Sequence, residues 1–158
     1  MIRKNGKDKR FRVFLSYAYA DHVHARRVRN LLVLADVVVV SPDALAAGKE
    51  WLSVIPDEIS RCDMFLVVVS PDFLDSQSVL MELGAAWALR KPVIALATQP
   101  DITTIPGAPA PVDVIYIGEI EKPGALRDLL KRFRKAETKQ TRRKPAGLRK
   151  TVRSKEAV

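Results

Sequence analysis

The chain of 158 residues has a single cysteine, Cys62, so no intrachain disulfide can staple it, and a reducing compartment is expected. It has two histidines, His22 and His24, both early. Two residues apart on a helix, they point away from one another. They make a poor metal pair and are expected to be exposed, and a Ser-His-Asp triad has no late histidine to draw on. No run approaches the ~20 apolar residues of a membrane span. Residues 13–17 imitate the core of a secretion signal ahead of Ala18-Tyr19-Ala20, but Arg12 interrupts the patch and the run is shorter than the roughly 7–15 residues such a core needs. A cytoplasmic protein is expected. There is no Gly-rich phosphate cradle of either common spacing, and no internal repeat. The end of the first apolar run carries Ser16 and Tyr17, where a response-regulator receiver would want carboxylates.

The net charge of +9 is unevenly spread. Residues 1–12 hold six basic groups and one acid, residues 13–130 nine and fifteen, and residues 131–158 twelve and two. The central part is therefore acidic, with a net charge of −6. Long runs of like charge are usually solvated extensions, so nucleic-acid or membrane-surface binding through the tail is not the favoured reading. The expected organisation is a basic extension over residues 1–10, one folded domain over residues 11–135, and a basic, disordered tail over residues 136–158.

Five short apolar runs, at residues 12–16, 37–40, 64–70, 93–97 and 114–117, alternate with segments of helical period. That pattern predicts βα units around a parallel sheet. The second and third runs do not alternate with polar residues, as expected of strands covered on both faces. Val28, Leu31, Leu32 and Ala35 form the apolar stripe of a first helix, with Arg26, Arg27, Arg29 and Asn30 facing elsewhere and Asp21 placed to cap it. A second helix is predicted over residues 53–61 with Pro56 in its first turn. A third carries Glu82 and stops before Pro92. A last helix after Pro123 is expected to bury Leu126, Leu129, Leu130 and Phe133. The proline-rich residues 99–112 read as a loop.

Within residues 79–89, Glu82 is the only charged residue. A carboxylate among apolar neighbours needs a partner or a ligand, because burying it alone is costly. A capping box does not explain it, since the third residue after Ser76 is Val79 and the third after Ser78 is Met81. In open parallel sheets ligands bind beyond the carboxyl ends of the strands, near the point where strand order reverses. Here that rim carries Ser16, Tyr17, residues 41–49, residues 70–78 and the top of the Glu82 helix.

These motifs together resemble the Toll/interleukin-1 receptor (TIR) domain family. Phe14-Leu15-Ser16-Tyr17 followed by Asp21 is similar to the family's first box, and Leu45-Ala46-Ala47-Gly48-Lys49 to the tip of its BB loop. Val69-Ser70-Pro71, Phe73-Leu74-Asp75-Ser76, Glu82-Leu83 and Ala86 resemble the third strand and the helix after it, and Pro92-Val93-Ile94 the fourth strand. The resemblance implies an α/β, flavodoxin-like three-layer sandwich whose five-stranded parallel sheet has the order 2-1-3-4-5.

The resemblance also implies two competing functions. Many bacterial and plant members cleave NAD⁺ at the nicotinamide–ribose bond with a glutamate on the helix after the third strand, the position of Glu82. Others are non-catalytic scaffolds that signal through homotypic assembly. For the enzymatic reading the resemblance assigns Glu82 as catalytic and Ser16, Tyr17, Tyr19, Leu45, Gly48, Lys49 and Ser78 as substrate-binding. NAD⁺ enters as substrate, with no cofactor and no metal. The expected partners are other TIR domains or an unknown protein, and the setting is bacterial immunity or toxin-like signalling. Enzymatic members commonly carry Trp four residues before the glutamate, where this chain has Ser78. A nucleoside deoxyribosyltransferase-like enzyme, with a similar sheet and a glutamate, is a third reading.

Overall fold

The computed structural model describes residues 10–42 and 51–141. In chain order the strands are β1 (Arg12–Ser16), β2 (Val38–Val40), β3 (Met64–Val69), β4 (Val93–Ala97) and β5 (Asp113–Tyr116). The helices are α1 (His22–Leu34), α2 (Trp51–Arg61), α3 (Gln77–Ala88), α4 (Ile117–Ile120) and α5 (Ala125–Thr141), with 3-10 turns at Tyr19–Asp21 and Phe73–Asp75. The strands pair in parallel in the order β2-β1-β3-β4-β5, flanked by helices, which is the flavodoxin-like arrangement. The chain divides into two compact units, Met1–Arg127 and Asp128–Val158.

Every residue of β3 is buried, as its unbroken apolar run requires of a central strand. β2 departs from expectation. It is an edge strand, and only Val40 of its three residues is fully buried. The run of valines reflects preference for extended backbone more than cover on both faces.

The period of two in each strand sorts the core into two layers. Phe14 of β1, Phe65, Val67 and Val69 of β3 and Ala95 of β4 face one way, and pack with Ile55 and Ile59 of α2 and Val79, Leu83 and Ala86 of α3. Phe14 and Phe65 sit side by side in register, their rings stacked at 5.5 Å. The alternate residues, Val13 and Leu15 of β1 and Leu66 and Val68 of β3, are fully buried on the opposite face, the side of α1 with its buried Ala25, Val28 and Leu32. This parity decides which helix each strand-end side chain meets.

α1 and α3 end in the same way. Asp36 and Arg90 follow the helices in left-handed backbone (φ 59° and 54°) without being glycines. In each case the next two amides bond back to the last turn, Asp36 N–H to Val33 O and Val37 N–H to Leu32 O, Arg90 N–H to Trp87 O and Lys91 N–H to Ala86 O. That is the Schellman pattern, which satisfies the last carbonyls and turns the chain sharply into β2 and β4. Gly124, at φ 80°, stands just before α5, in which Leu126, Leu129 and Leu130 are buried and Phe133 is partly so.

Several expectations change. Pro56 lies inside α2, which begins at Trp51, and not in its first turn. The fifth strand is displaced by one residue, because Ile117 opens the one-turn helix α4, too short to leave a period in the sequence. His22 is exposed, but His24 is partly buried, its Nδ1 without a partner among the described residues. Residues 99–112 contain no helix or strand, as the prolines imply.

Candidate functional site

β1 and β3 are neighbours, and from them the chain winds outward in opposite directions, β1 to β2 and β3 to β4. The switch point therefore lies between the ends of β1 and β3, and both ends carry serine. Ser16 has the parity of Phe14 and faces the layer of α2 and α3. There its Oγ donates to Glu82 Oε2 at 2.6 Å, with Ser16 fully buried and Glu82 2% exposed. Ser70 follows Val69 and has the opposite parity, so it faces the α1 side. Its Oγ donates to Asp21 Oδ2 at 2.7 Å.

The two bonds cross. The serine ending β1 serves the carboxylate on the helix after β3, and the serine ending β3 serves the carboxylate in the turn after β1. Hydrogen bonds of this kind, hydroxyl to carboxylate, are short and strong in a medium of low dielectric. They tie the two halves of the sheet together at the place where ligands of such folds bind.

Asp21 therefore has a different role from the one expected of it. It occupies the N-cap position of α1, but its side chain makes no capping bond; it is 5% exposed and turned toward Ser70. The same parity explains Ser41. It follows Val40, faces the α1 side, is fully buried, and accepts a hydrogen bond from Arg29 Nη2. Arg29, read from the helical stripe as facing away with Arg26 and Arg27, is turned instead toward the end of β2.

Of the remaining expected site residues, Tyr17 is partly buried directly after Ser16. Tyr19 is 90% exposed, with its ring 5.8 Å from that of His22, and points into solvent. Ser78 lies in the first turn of α3, one turn before Glu82, and its hydroxyl is 3.2 Å from that of Ser76. The N-cap of α3 is Ser76, without a side-chain capping bond. Trp87 packs partly buried against the core. Leu45, Gly48 and Lys49 lie outside the described residues. No cluster of His, Cys, Asp and Glu suited to a metal ion occurs among the described residues. None of their helices is long and apolar enough to cross a membrane.

A surface pocket of about 230 Å³ lies elsewhere, lined by Leu31, Leu34 and Ala35 at the end of α1 together with Ile120, Pro123 and Leu126. It contains none of the residues above and is near the opposite edge of the sheet. The chemistry of the switch point, not the depth of that hollow, identifies the candidate site.

Residues 13–130 match the family model of the TIR domain, and the chain belongs to that family. Among solved structures it is similar to the TIR domain of the Toll-related receptor TRR-2 from Hydra magnipapillata, with a TM-score of 0.62 and 19% identity over 77% of this chain and 97% of that one. A looser overlap, TM-score 0.45 and 22% identity over 76% of this chain and 98% of that one, occurs with the CMP N-glycosidase BcmB of Clostridium botulinum. At such identities the likeness concerns the fold alone. No curated protein matches the sequence.

Proposed function

We propose that this TIR domain cleaves the nicotinamide–ribose bond of NAD⁺, as a glycohydrolase or a cyclase, with Glu82 as its catalytic carboxylate. The observation that carries the reading is a glutamate 2% exposed at the switch point of the sheet, its Oε2 fixed by Ser16 at 2.6 Å. One carboxylate suffices for this bond. Ordinary glycosidases need an acid as well, to protonate a poor leaving group. Nicotinamide leaves a cationic pyridinium as a neutral base, taking the electron pair of the C–N bond with it. Positive charge then develops on the ribose. Glu82 faces that charge in a water-poor setting, where a preorganised group stabilises most. Water attacking the anomeric carbon and losing a proton gives ADP-ribose; an adenine nitrogen attacking it gives a cyclic isomer.

Ser16 positions Glu82, and Tyr17, Tyr19, Leu45, Gly48, Lys49 and Ser78 line the path of the dinucleotide in this reading. NAD⁺ is the substrate and no cofactor is required. Activity rises with homotypic assembly, the residue 41–49 loop helping to complete the site between neighbours, in a cytoplasmic bacterial immune or toxin-like pathway. Ser78 in place of the usual Trp removes a stacking surface and points to a weakly active isolated domain.

Incubating the concentrated protein with NAD⁺ and resolving the products by chromatography tests this. Nicotinamide together with ADP-ribose or its cyclic isomer is the expected result, with specific activity rising as concentration increases. Base exchange between deoxynucleosides would assign a transferase instead. Intact NAD⁺ and no exchange at every concentration would leave a scaffold.

A further inference from the structure

Among the described helices, α3 is the one whose solvent side carries no charge. Arg26 of α1, Asp57 of α2, Glu119 of α4 and Lys131 of α5 are all exposed. On α3 the exposed positions are Gln77, Leu80, Met81, Gly84 and Ala88, which recur every three or four residues and so form one stripe. Met81 is 60% exposed and Leu80 40%. With the exposed Leu74 just before the helix, the stripe offers ~400 Å² of apolar surface, within the size range of patches that serve a function.

Gly84 is a second sign. In the middle of a helix glycine is the costliest residue after proline, because it loses the most backbone freedom on folding. Inside this domain nothing calls for it: its backbone is not left-handed, and a Cβ built there would meet nothing within 4 Å. What the missing side chain provides is a dent in the outer face of α3, open to a neighbour. Charges of opposite sign flank the stripe at its two ends. Asp72 and Asp75 stand exposed before α3 and Arg90 exposed after it, and none of the three forms an ion pair among the described residues.

We propose that the outer face of α3 pairs with the same face of a second copy of this chain, the two helices antiparallel about a two-fold axis at the level of Glu82 and Leu83. That arrangement sets Met81 of one copy over Gly84 of the other and Gln77 over Ala88, large against small. It also sets Asp75 of each copy at the end where the other has Arg90. A single two-fold thus meets the apolar, shape and charge requirements together, as an isologous contact must. With Gln77 and the flanking charges, the two faces bury about 1,000 Å² in total, the lower bound of a specific interface, so the dimer is weak and forms at high protein concentration. Glu82 is on the buried side of the same helix, and the pairing steadies the element that carries it. That link to turnover rests on the catalytic reading given above; the surface itself does not.

Sedimentation equilibrium of the full chain over a wide concentration series tests the surface without reference to catalysis. A monomer–dimer equilibrium with a Kd of ~10⁻⁴ M is expected. Gly84→Ala should weaken it about tenfold while raising the melting temperature by ~2–5 °C, because alanine suits the helix and fills the dent. Met81→Glu should abolish dimerisation, and as an exposed position it should leave the fold intact. Asp75→Lys and Arg90→Glu should each weaken the dimer by ~3–10-fold, and the double variant should restore it. General stickiness of an apolar face would give no such restoration. A wild type that is monomeric at every concentration would leave the face to a different protein and overturn the proposal. A dimer indifferent to Met81→Glu and Gly84→Ala, or a double variant as weak as the single ones, would overturn it too. Wild type that dimerises through α3 yet leaves NAD⁺ intact defeats the catalytic reading and keeps the surface. Turnover that rises with concentration equally in wild type and in a monomeric Met81→Glu breaks the link between α3 and activity.

Discussion

The two edges of the sheet solve the same problem in opposite ways. At the amino edge, charged groups meet charged groups or backbone near the surface. The Arg12 amide donates to Asp63 Oδ2 at 2.8 Å, the Arg12 and Arg61 guanidiniums reach Glu58 at 3.4 and 2.9 Å, and Lys91 Nζ donates to the carbonyls of Ser60 and Cys62 at 2.7 Å each. Those contacts fasten the starts of β1, β3 and β4. At the carboxyl edge Glu82 and Asp21 are buried and take hydrogen bonds from serine hydroxyls, and no lysine or arginine pairs with Asp21 among the described residues. An amino edge of full ion pairs in part-solvated positions is what stability asks for. Buried carboxylates beside hydroxyls at the switch point of such a sheet stand where ligands of these folds bind, which makes this edge the candidate for chemistry.

The largest effect should come from Glu82→Gln, which keeps shape and deletes charge. Ser16 Oγ can still donate to the amide oxygen, so the fold should survive. NAD⁺ cleavage should fall by ~10²–10³ or more, the usual cost of losing an electrostatic stabiliser in a closed site. Turnover and thermal melting measured side by side check this. Activity within a few-fold of wild type would make Glu82 a structural carboxylate and erase the difference between the edges.

Next in size is the crossed partner. Asp21→Ala leaves the buried Ser70 hydroxyl without its acceptor and should cost ~1–3 kcal/mol in denaturant unfolding. Asp21→Asn retains an acceptor and should cost about 1 kcal/mol or less. If the two variants are equally unstable, the charge of Asp21 matters more than its bond to Ser70, and the carboxyl edge resembles the amino edge after all.

How far the sequence carried these conclusions depends on the range of each interaction. β1 and β4 coincide residue for residue with their apolar runs, because strand preference and the flanking turn signals are local. Glu82 was visible as an isolated charge in an apolar helix, and Ser16 as the end of a strand. The bond between Asp21 and Ser70 was not, since it joins residues 49 apart and depends on strand parity. A local rule made Asp21 a helix cap; tertiary parity made it a partner of β3. The same parity pulled Arg29 out of the polar face to which helical period assigned it. Assigning alternate residues of each strand to the two layers before interpreting the rim would have found both.

At the amino edge, Lys91→Met keeps the alkyl stem and removes two charge-assisted bonds to backbone carbonyls. Because Lys91 is partly exposed, solvent compensates part of the loss, and a destabilisation of ~1 kcal/mol is expected. NAD⁺ cleavage should stay within about twofold of wild type, since the lysine is at the far edge from Glu82. A selective loss of activity at unchanged stability would show that the edges are coupled and not separate in function.

An effect confined to alkaline pH concerns Cys62, which is buried at the amino edge beside Arg12 and Lys91. Burial pushes its thiol up from 9.0 to about 11, outweighing the Arg12 cation, which acts in the opposite sense. Between these values the unfolded chain has lost the thiol proton while the folded chain still holds it, so the folded state binds more protons and its stability falls as pH rises. The advantage is complete below about pH 9 and gone above about pH 11. Denaturant unfolding of wild type and Cys62→Ala across that range should show their stability difference narrowing with pH, and the native thiol should resist alkylation at pH 8. A difference that stays constant with pH, or rapid native alkylation, would mean that the cations of this edge control the thiol more strongly than burial does. The contrast with the carboxyl edge would then rest on charge at one edge and hydroxyls at the other, with depth playing no part.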